Sequence, residues 1–171
     1  MNPGQILKIM PEKMRTAFLK AEINWDKTEE IRIRAGKPVF VYVDNREYIL
    51  ENDGELSMDY SKKKGSYIVY ENDIRQILDQ MTGYSLYAYE DELRQGFFTL
   101  EGGHRVGVAG KTVIEKRVVK TLKEISFMNI RIAHEKKNCG KKLIQNLVEV
   151  GQLKHTLLIS PPRLWQDNLA S

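Results

Sequence analysis

The chain contains a single cysteine, Cys139, among 171 residues. One thiol excludes an internal disulfide and any metal site built on several cysteines. Long apolar runs are also missing. None approaches the roughly 18–20 residues that a membrane-crossing helix needs, and no secretory leader is visible. The expectation is a cytoplasmic protein without membrane insertion. Only three histidines occur, and neither His104 nor His155 has a partner that suggests a catalytic triad. His134 stands alone and reads as structural. A strong excess of one charge is absent as well. With 27 Lys and Arg against 23 Asp and Glu, the net charge of +4 permits anionic partners without demanding them. Internal repeats and low-complexity segments are missing.

What remains is ordinary globular material: 42% hydrophobic and 29% charged residues, enough for one core and part of a second domain. Residues 5–22 read as helical, with Ile6, Leu7 and Met10 before Pro11, which suits the first position of a new helix. Met14, Ala17, Phe18 and Ala21 then share one face. Trp25 is placed to pack this arm onto the body. Glu30-Ile-Arg-Ile-Arg34 alternates apolar and charged residues, the pattern of a strand with one wet face. Val39 to Val43 and Glu47 to Leu50 read as a hairpin around Asp44-Asn45. The polar stretch 51–65, with Lys62-Lys63-Lys64, reads as a solvated loop, and Ser66 to Tyr70 as another strand.

Asn72 or Asp73 then caps a helix carrying Ile74, Ile77, Leu78 and Met81, stopped at Gly83. Ser85 is placed to cap a helix from Leu86 to Gln95, with Leu86, Tyr89 and Leu93 inward and Gly96 as terminator. Tyr84, Tyr87 and Tyr89 suit core and rim packing better than base stacking. Glu90, Asp91 and Glu92 read as a wet helix face. Phe97 to Glu101 and His104 to Ala109 form a hairpin about Gly102-Gly103. Gly107 and Gly110 signal bulges or close backbone approach. The same run matches the GxxG of a KH module, but that loop must join two helices and these residues sit among strands. Lys111 to Ile114 and Val118 to Leu122 read as a further hairpin around Lys116-Arg117, and Met128 to Ala133 as the last strand of the body. A charged link over 135–138 leads to a helix with Leu143, Ile144, Leu147 and Val148, ended by Gly151.

A short apolar run, Thr156 to Ser160, then stops at Pro161-Pro162-Arg163. A strand feeding a phosphate-binding loop has this form. The loop itself needs a pliable backbone, a lysine for the terminal phosphates and a hydroxyl for Mg²⁺. Leu164-Trp165-Gln166 stands where Gly-Lys-Thr is expected.

Several stretches carry a specific resemblance. They are Glu30-Ile-Arg-Ile-Arg-Ala-Gly-Lys-Pro38, Ser85-Leu-Tyr-Ala-Tyr89, Gln95-Gly96-Phe97, Glu101-Gly-Gly-His-Arg-Val-Gly-Val-Ala-Gly-Lys111, and Asn129-Ile-Arg-Ile-Ala133. With the strand and Ser160-Pro161-Pro162-Arg163, they resemble the stage III sporulation protein AA family. Members of that family are mother-cell ATPases similar to the hexameric motors of type II and type IV secretion systems, thought to power a channel between mother cell and forespore. The resemblance implies an α+β fold: a mixed, mostly antiparallel PAS-like domain over residues 1–134, then the first helix and strand of a RecA-like domain over 135–171. It implies subunits of a hexameric ATPase and a membrane channel complex as partners, and ATP with Mg as cofactors of full-length relatives.

For this chain the expectation is different: no enzyme activity, no cofactor, no metal, and a vestigial loop start at Ser160, Pro161, Pro162 and Arg163. The family's Cys-Gly-Lys-Thr-Thr-Leu-Leu-Arg-Asp, written in codons with one base inserted in front, reads Leu-Trp-Gln-Asp-Asn-Leu-Ala-Ser and then stop. Residues 164–171 are therefore expected to be the phosphate loop read one frame out. Arg105 and Arg131 are the candidates for groups acting across a subunit boundary, against pairing with a carboxylate such as Glu101 or Glu124. The competing reading is a nucleic-acid-binding domain using Lys62–Lys64, Lys116, Arg117, Lys120, Lys123 and Lys136, Lys137, Lys141 and Lys142.

Overall fold

The computed structural model describes residues 3–59, 65–134, 147–149 and 152–153. The chain divides into two compact units, Met1–Ala133 and His134–Ser171. The first is an α+β body built on a seven-stranded antiparallel sheet.

Its strands are β1 (Thr28–Arg34), β2 (Phe40–Val43), β3 (Arg46–Leu50), β4 (Leu56–Ser57), β5 (Phe97–Thr99), β6 (Arg105–Glu115) and β7 (Val118–Arg131), in the order β4-β3-β2-β1-β7-β6-β5. The alternation in β1 does what its pattern dictates. Ile31 and Ile33 are fully buried, while Glu30, Arg32 and Arg34 face away from them. Asp44 and Asn45 have φ of 53° and 60°, the left-handed pair that closes a two-residue hairpin between β2 and β3. The loop predicted over 51–65 contains β4, which is too short to leave a periodic signal. Ser66 to Tyr70 joins through isolated bridges, Glu51 to Ser66 and Pro38 to Ile68, and forms no strand.

Four helices supply the other half of the core: α1 (Gly4–Lys8), α2 (Glu12–Lys20), α3 (Glu71–Met81) and α4 (Glu90–Gln95). Pro11 lies just before α2, not inside it, and Met14, Ala17 and Phe18 are buried as expected. The Trp25 ring sits 6.0 Å from that of Phe18. Helix α3 starts earlier than predicted. Asp73 is inside its first turn, where the carboxylate accepts the Tyr70 N–H at 2.8 Å. The helix predicted from Leu86 is a 3₁₀ turn, Leu86–Tyr89, followed by α4. Leu93 is buried, but Leu86 is 39% exposed. A segment this short presents too little face to turn all three apolar residues inward. Tyr84 and Tyr87 are also exposed, and only Tyr89 packs inward, 5.9 Å from Phe98.

The hairpin about Gly102-Gly103 forms as β5 and β6, and the strands predicted separately at 104–109 and 111–114, and at 118–122 and 128–133, are continuous. Strands β6 and β7 run on past the rest of the sheet and turn at Lys116 and Arg117, with φ of 51° and 66°. At Gly110 the ladder shifts register, and an added Cβ would lie 2.5 Å from Lys123 O and 2.8 Å from Ile125 Cα. No side chain fits where the backbones come this close. Gly107 pairs regularly with Phe97 and Asn129 and marks no bulge. The Gly107 to Gly110 run lies within β6, so it lacks the helix–helix setting of a KH loop.

In the second unit, Val148–Glu149 (β8) pairs antiparallel with Gln152–Leu153 (β9). Val148 therefore ends in a strand and not in the predicted helix. A nearby glycine serves as a hairpin signal or a helix stop, and sequence alone does not separate the two. The remaining expectations for this region, including the strand 156–160, lie outside the described residues.

Candidate functional site

The core residues of the sheet all point one way: Ile31 and Ile33, Val41, Val106 and Val108, Met128 and Ile130. The helices pack on that side with Ile6, Phe18, Ile74 and Leu93. Side chains alternate along a strand, so the opposite face carries Glu30, Arg32 and Arg34, Tyr42, Glu47, Arg105, Asn129 and Arg131. Among the described residues no helix covers it.

The register lines these residues up. Glu47 faces Tyr42, Tyr42 faces Glu30, Glu30 faces Arg131, and Arg131 faces Arg105. At one end of the row the charges are satisfied. Arg32 pairs with Glu30 and lies 3.7 Å from a Glu47 carboxylate oxygen. It also donates to Tyr42 Oη at 2.6 Å, with the guanidinium carbon 4.3 Å from the ring centroid.

At the other end they are not. Arg105 and Arg131 are exposed and directly opposite each other, and neither guanidinium makes an ion pair or hydrogen bond among the described residues. The carboxylates considered as their partners are engaged elsewhere: Glu101 accepts from Gln5 Nε2 at 2.7 Å, and Glu124 lies 3.5 Å from Lys111. Like charges at directly opposed positions destabilise a sheet, a local cost that Glu30, the other cross-strand neighbour of Arg131, offsets only in part. Opposite Arg32, two residues before Arg131 on the same strand, Asn129 Oδ1 is buried without a hydrogen bond. A surface of two exposed guanidinium groups is chemically fit to receive an anion.

His104 is buried behind the β5–β6 turn, and its Nδ1 accepts the Ala133 N–H at 3.0 Å. It ties the end of β7 to the neighbouring turn. His134 also has an interaction partner. Asp91 pairs with Arg94 at 2.7 Å. Among the described residues no group of His, Cys, Asp or Glu is arranged to hold a metal.

Of the basic residues considered for nucleic acid, Lys116 and Arg117 form the tip of the β6–β7 ribbon. Lys120 pairs with Glu115 at 2.6 Å. That hydrogen bond and the opposite charges hold the Glu115 carboxyl below its ordinary range and the Lys120 ammonium above its own. Lys62–Lys64, Lys136, Lys137, Lys141 and Lys142 lie outside the described residues, as do Ser160, Pro161, Pro162 and Arg163.

Two features escape the sequence. The orphan Asn129 depends on register across three strands, which no local pattern encodes. The exposed ribbon tip, with Ile114 at 66% and Val118 at 64%, left one signal: β-branched residues on both sides of Lys116-Arg117.

Comparison with known proteins adds independent findings. The family described as "Sporulation stage III, protein AA" matches residues 2–170. "Stage III sporulation protein AA" of Bacillus subtilis (strain 168) is 34% identical over 167 residues, which cover 97% of this chain and 49% of that relative. The chain thus spans about half the length of the curated relative it matches. No solved structure matches.

Proposed function

The chain belongs to the stage III sporulation protein AA family, and from that premise we propose that it is the non-catalytic assembly domain of a sporulation ATPase. On this reading the ATPase resembles the motors of type II and type IV secretion and serves a channel between mother cell and forespore. The body with helices on one side of an antiparallel sheet supports a PAS-like N-terminal domain, and the family resemblance of the sequence makes residues 135–171 the start of a RecA-like one. The site is the mother-cell cytoplasm, against a membrane channel. No helix among the described residues is long and apolar enough to cross a membrane.

The observation that carries the reading is the opposed pair Arg105 and Arg131 on an uncovered sheet face. Two unpaired guanidinium groups that cost stability in the isolated domain suit a task performed at a boundary with another subunit. Guanidinium stays charged and offers two parallel donors to phosphate or carboxylate oxygens. ATP and Mg belong to full-length relatives. Leu164-Trp165-Gln166 offers no ammonium for phosphates and no hydroxyl for a metal ion, so the chain itself is expected to turn over no ATP.

Two experiments test this. Sequencing the gene across codons 160–172 should show that removing one base near codon 164 opens a frame beginning Cys-Gly-Lys-Thr. Arg131→Ala in that longer protein should lower ATP turnover strongly with unchanged melting. An unchanged rate, or equal losses of rate and stability, returns Arg131 to a structural role.

The nucleic-acid reading comes second, because Lys120 is already paired. It requires duplex or single-stranded binding that weakens steeply with salt. No binding at low salt removes it.

A further inference from the structure

Beyond Ala109, β6 and β7 leave the sheet as a two-stranded ribbon. Strand β5 pairs only as far as Gly107, and β1 only as far as Phe127. The ribbon pairs from Lys111 with Lys123 out to Glu115 with Val118. Positive charge is concentrated on it. Residues 111–124 hold five cations, Lys111, Lys116, Arg117, Lys120 and Lys123, against Glu115 and Glu124, and so carry three of the chain's four net positive charges. Both acids are neutralised within the ribbon, Glu115 by Lys120 at 2.6 Å and Glu124 by Lys111 at 3.5 Å. The charged groups of Lys116, Arg117 and Lys123 make no ion pair or hydrogen bond among the described residues.

Between these cations the tip exposes Ile114, Val118 and Val119. Register partners project to the same face of a ladder. Ile114 and Val119 therefore share one face, and Val118, opposite Glu115, lies on the other. A partner that docks flat covers one face only, so apolar groups on both suit a medium that surrounds the tip. Nucleic acid is not such a medium. Residues 111–124 contain no aromatic ring to stack on bases and no Asn or Gln to read a base edge. It would engage the cations and leave the aliphatic groups in water. An anionic bilayer takes both, with phosphates for the cations and the acyl boundary for the aliphatic groups.

The dimensions agree. A strand rises about 3.3 Å per residue, so Ile114 and Val119 stand within about 10 Å of the turn. Interfacial segments bury about 5–10 Å deep. At that depth Lys111 and Lys123, about 15 Å from the turn, remain within a screening length of about 10 Å from the surface. Lys116 and Arg117 go deepest, and their long stems carry the charges back towards the phosphates.

We propose that the β6–β7 ribbon is a membrane-contact arm whose tip enters the headgroup layer of an anionic bilayer, with its aliphatic side chains at the acyl boundary and its cations on lipid phosphates. The arm touches the interface and does not cross the membrane. This goes beyond the assembly reading and does not depend on it.

The test is flotation of the 171-residue chain with vesicles of equal parts phosphatidylglycerol and phosphatidylcholine, beside vesicles of phosphatidylcholine alone. The wild type should float with the anionic vesicles only. A cation near such a surface is worth about fivefold in binding, so Lys116→Asn with Arg117→Asn should weaken it at least tenfold. Asparagine tolerates the positive φ of both positions. Replacing Ile114, Val118 and Val119 together by threonine keeps the β-branching and should also weaken binding about tenfold. Val118→Trp and Val119→Trp place a reporter on each face. The fluorescence that each adds to the wild-type spectrum should shift to the blue on anionic vesicles.

A wild type that fails to float overturns the proposal. So does a threonine variant that floats as well as wild type, since binding is then by charge alone. A blue shift from only one of the two tryptophans overturns it too, because the tip then lies flat on a surface. If the wild type ignores vesicles but binds duplex DNA, and the asparagine substitutions abolish that binding, the ribbon serves nucleic acid and the proposal fails. Circular dichroism checks that each variant is folded. Should a multiple variant unfold, the two tryptophan reporters, each a single exposed substitution, decide the matter. None of these assays involves ATP or the longer protein, so the assembly reading is judged separately by Arg131→Ala.

Discussion

Replacing Arg105 with glutamate should make the isolated chain more stable. Arg105 and Arg131 are direct cross-strand partners, and neither guanidinium makes an ion pair among the described residues, although Glu30 faces Arg131 from its other side. Opposed like charges cost, and opposed unlike charges gain, roughly 0.2–1 kcal/mol each relative to alanine pairs. Reversing one sign is therefore worth about 0.5–2 kcal/mol, trimmed slightly because glutamate is disfavoured in strands. For a chain of this size that corresponds to a melting increase of about 1–8 °C. The gain is electrostatic between exposed groups, so it must shrink with salt, as the screening length falls from about 10 Å at 0.1 M to about 3 Å at 1 M. Thermal melts of wild type, Arg105→Gln and Arg105→Glu at both salt levels decide the matter. The expected order at low salt is Glu above Gln above Arg, converging at high salt. If Arg105→Glu melts no higher than wild type, or keeps its advantage at 1 M salt, repulsion between the two guanidinium groups is not a cost to the fold.

Three further outcomes follow from the geometry. Gly110→Ala should destabilise by about 1–3 kcal/mol, read by urea unfolding, because its Cβ meets backbone atoms 2.5 and 2.8 Å away that cannot swing aside. His104→Ala should cost about 1–3 kcal/mol by leaving the Ala133 N–H without its acceptor, and amide exchange at Ala133 should accelerate. Tyr67 should ionise late. Burial, followed by the nearby Asp73 carboxylate, raises its phenol to about 12. The folded state then holds this proton more tightly than the unfolded state, so its contribution to stability is intact below about pH 10 and lost as pH climbs towards 12. Denaturation series between those values should show Tyr67→Phe declining less than wild type.

Much of the body is legible in the sequence because its signals are local. Ile31 and Ile33 alternate with charged residues, Asp44-Asn45 favours a left-handed turn, and Gly96 stops α4 with a φ of 80°. What failed lacked either length or locality. Leu56–Ser57 is too brief to show a period. Leu86 carries the spacing of a buried helical residue, yet the helix is too short to bury it. The site is legible only as a set of residue types. Arg105 and Arg131 stand out individually, but their opposition is a consequence of sheet register across chain-distant strands. That register is fixed by Val106, Met128 and Ile130 on the other face, and no local pattern states it.

Strand β7 has a mechanical consequence. It runs from the ribbon tip through the middle of the sheet, between β1 and β6, and ends where the first compact unit gives way to the second. Antiparallel hydrogen bonds lie perpendicular to the strands they join. Tension applied to the chain beyond Ala133 therefore pulls β7 along its own length and loads its bonds to both neighbours in shear. Such bonds fail together and not one after another, as they would in an unzipping edge strand. The body can act as a rigid handle, passing a pull from the following residues to the opposite end of β7 with little stretching between.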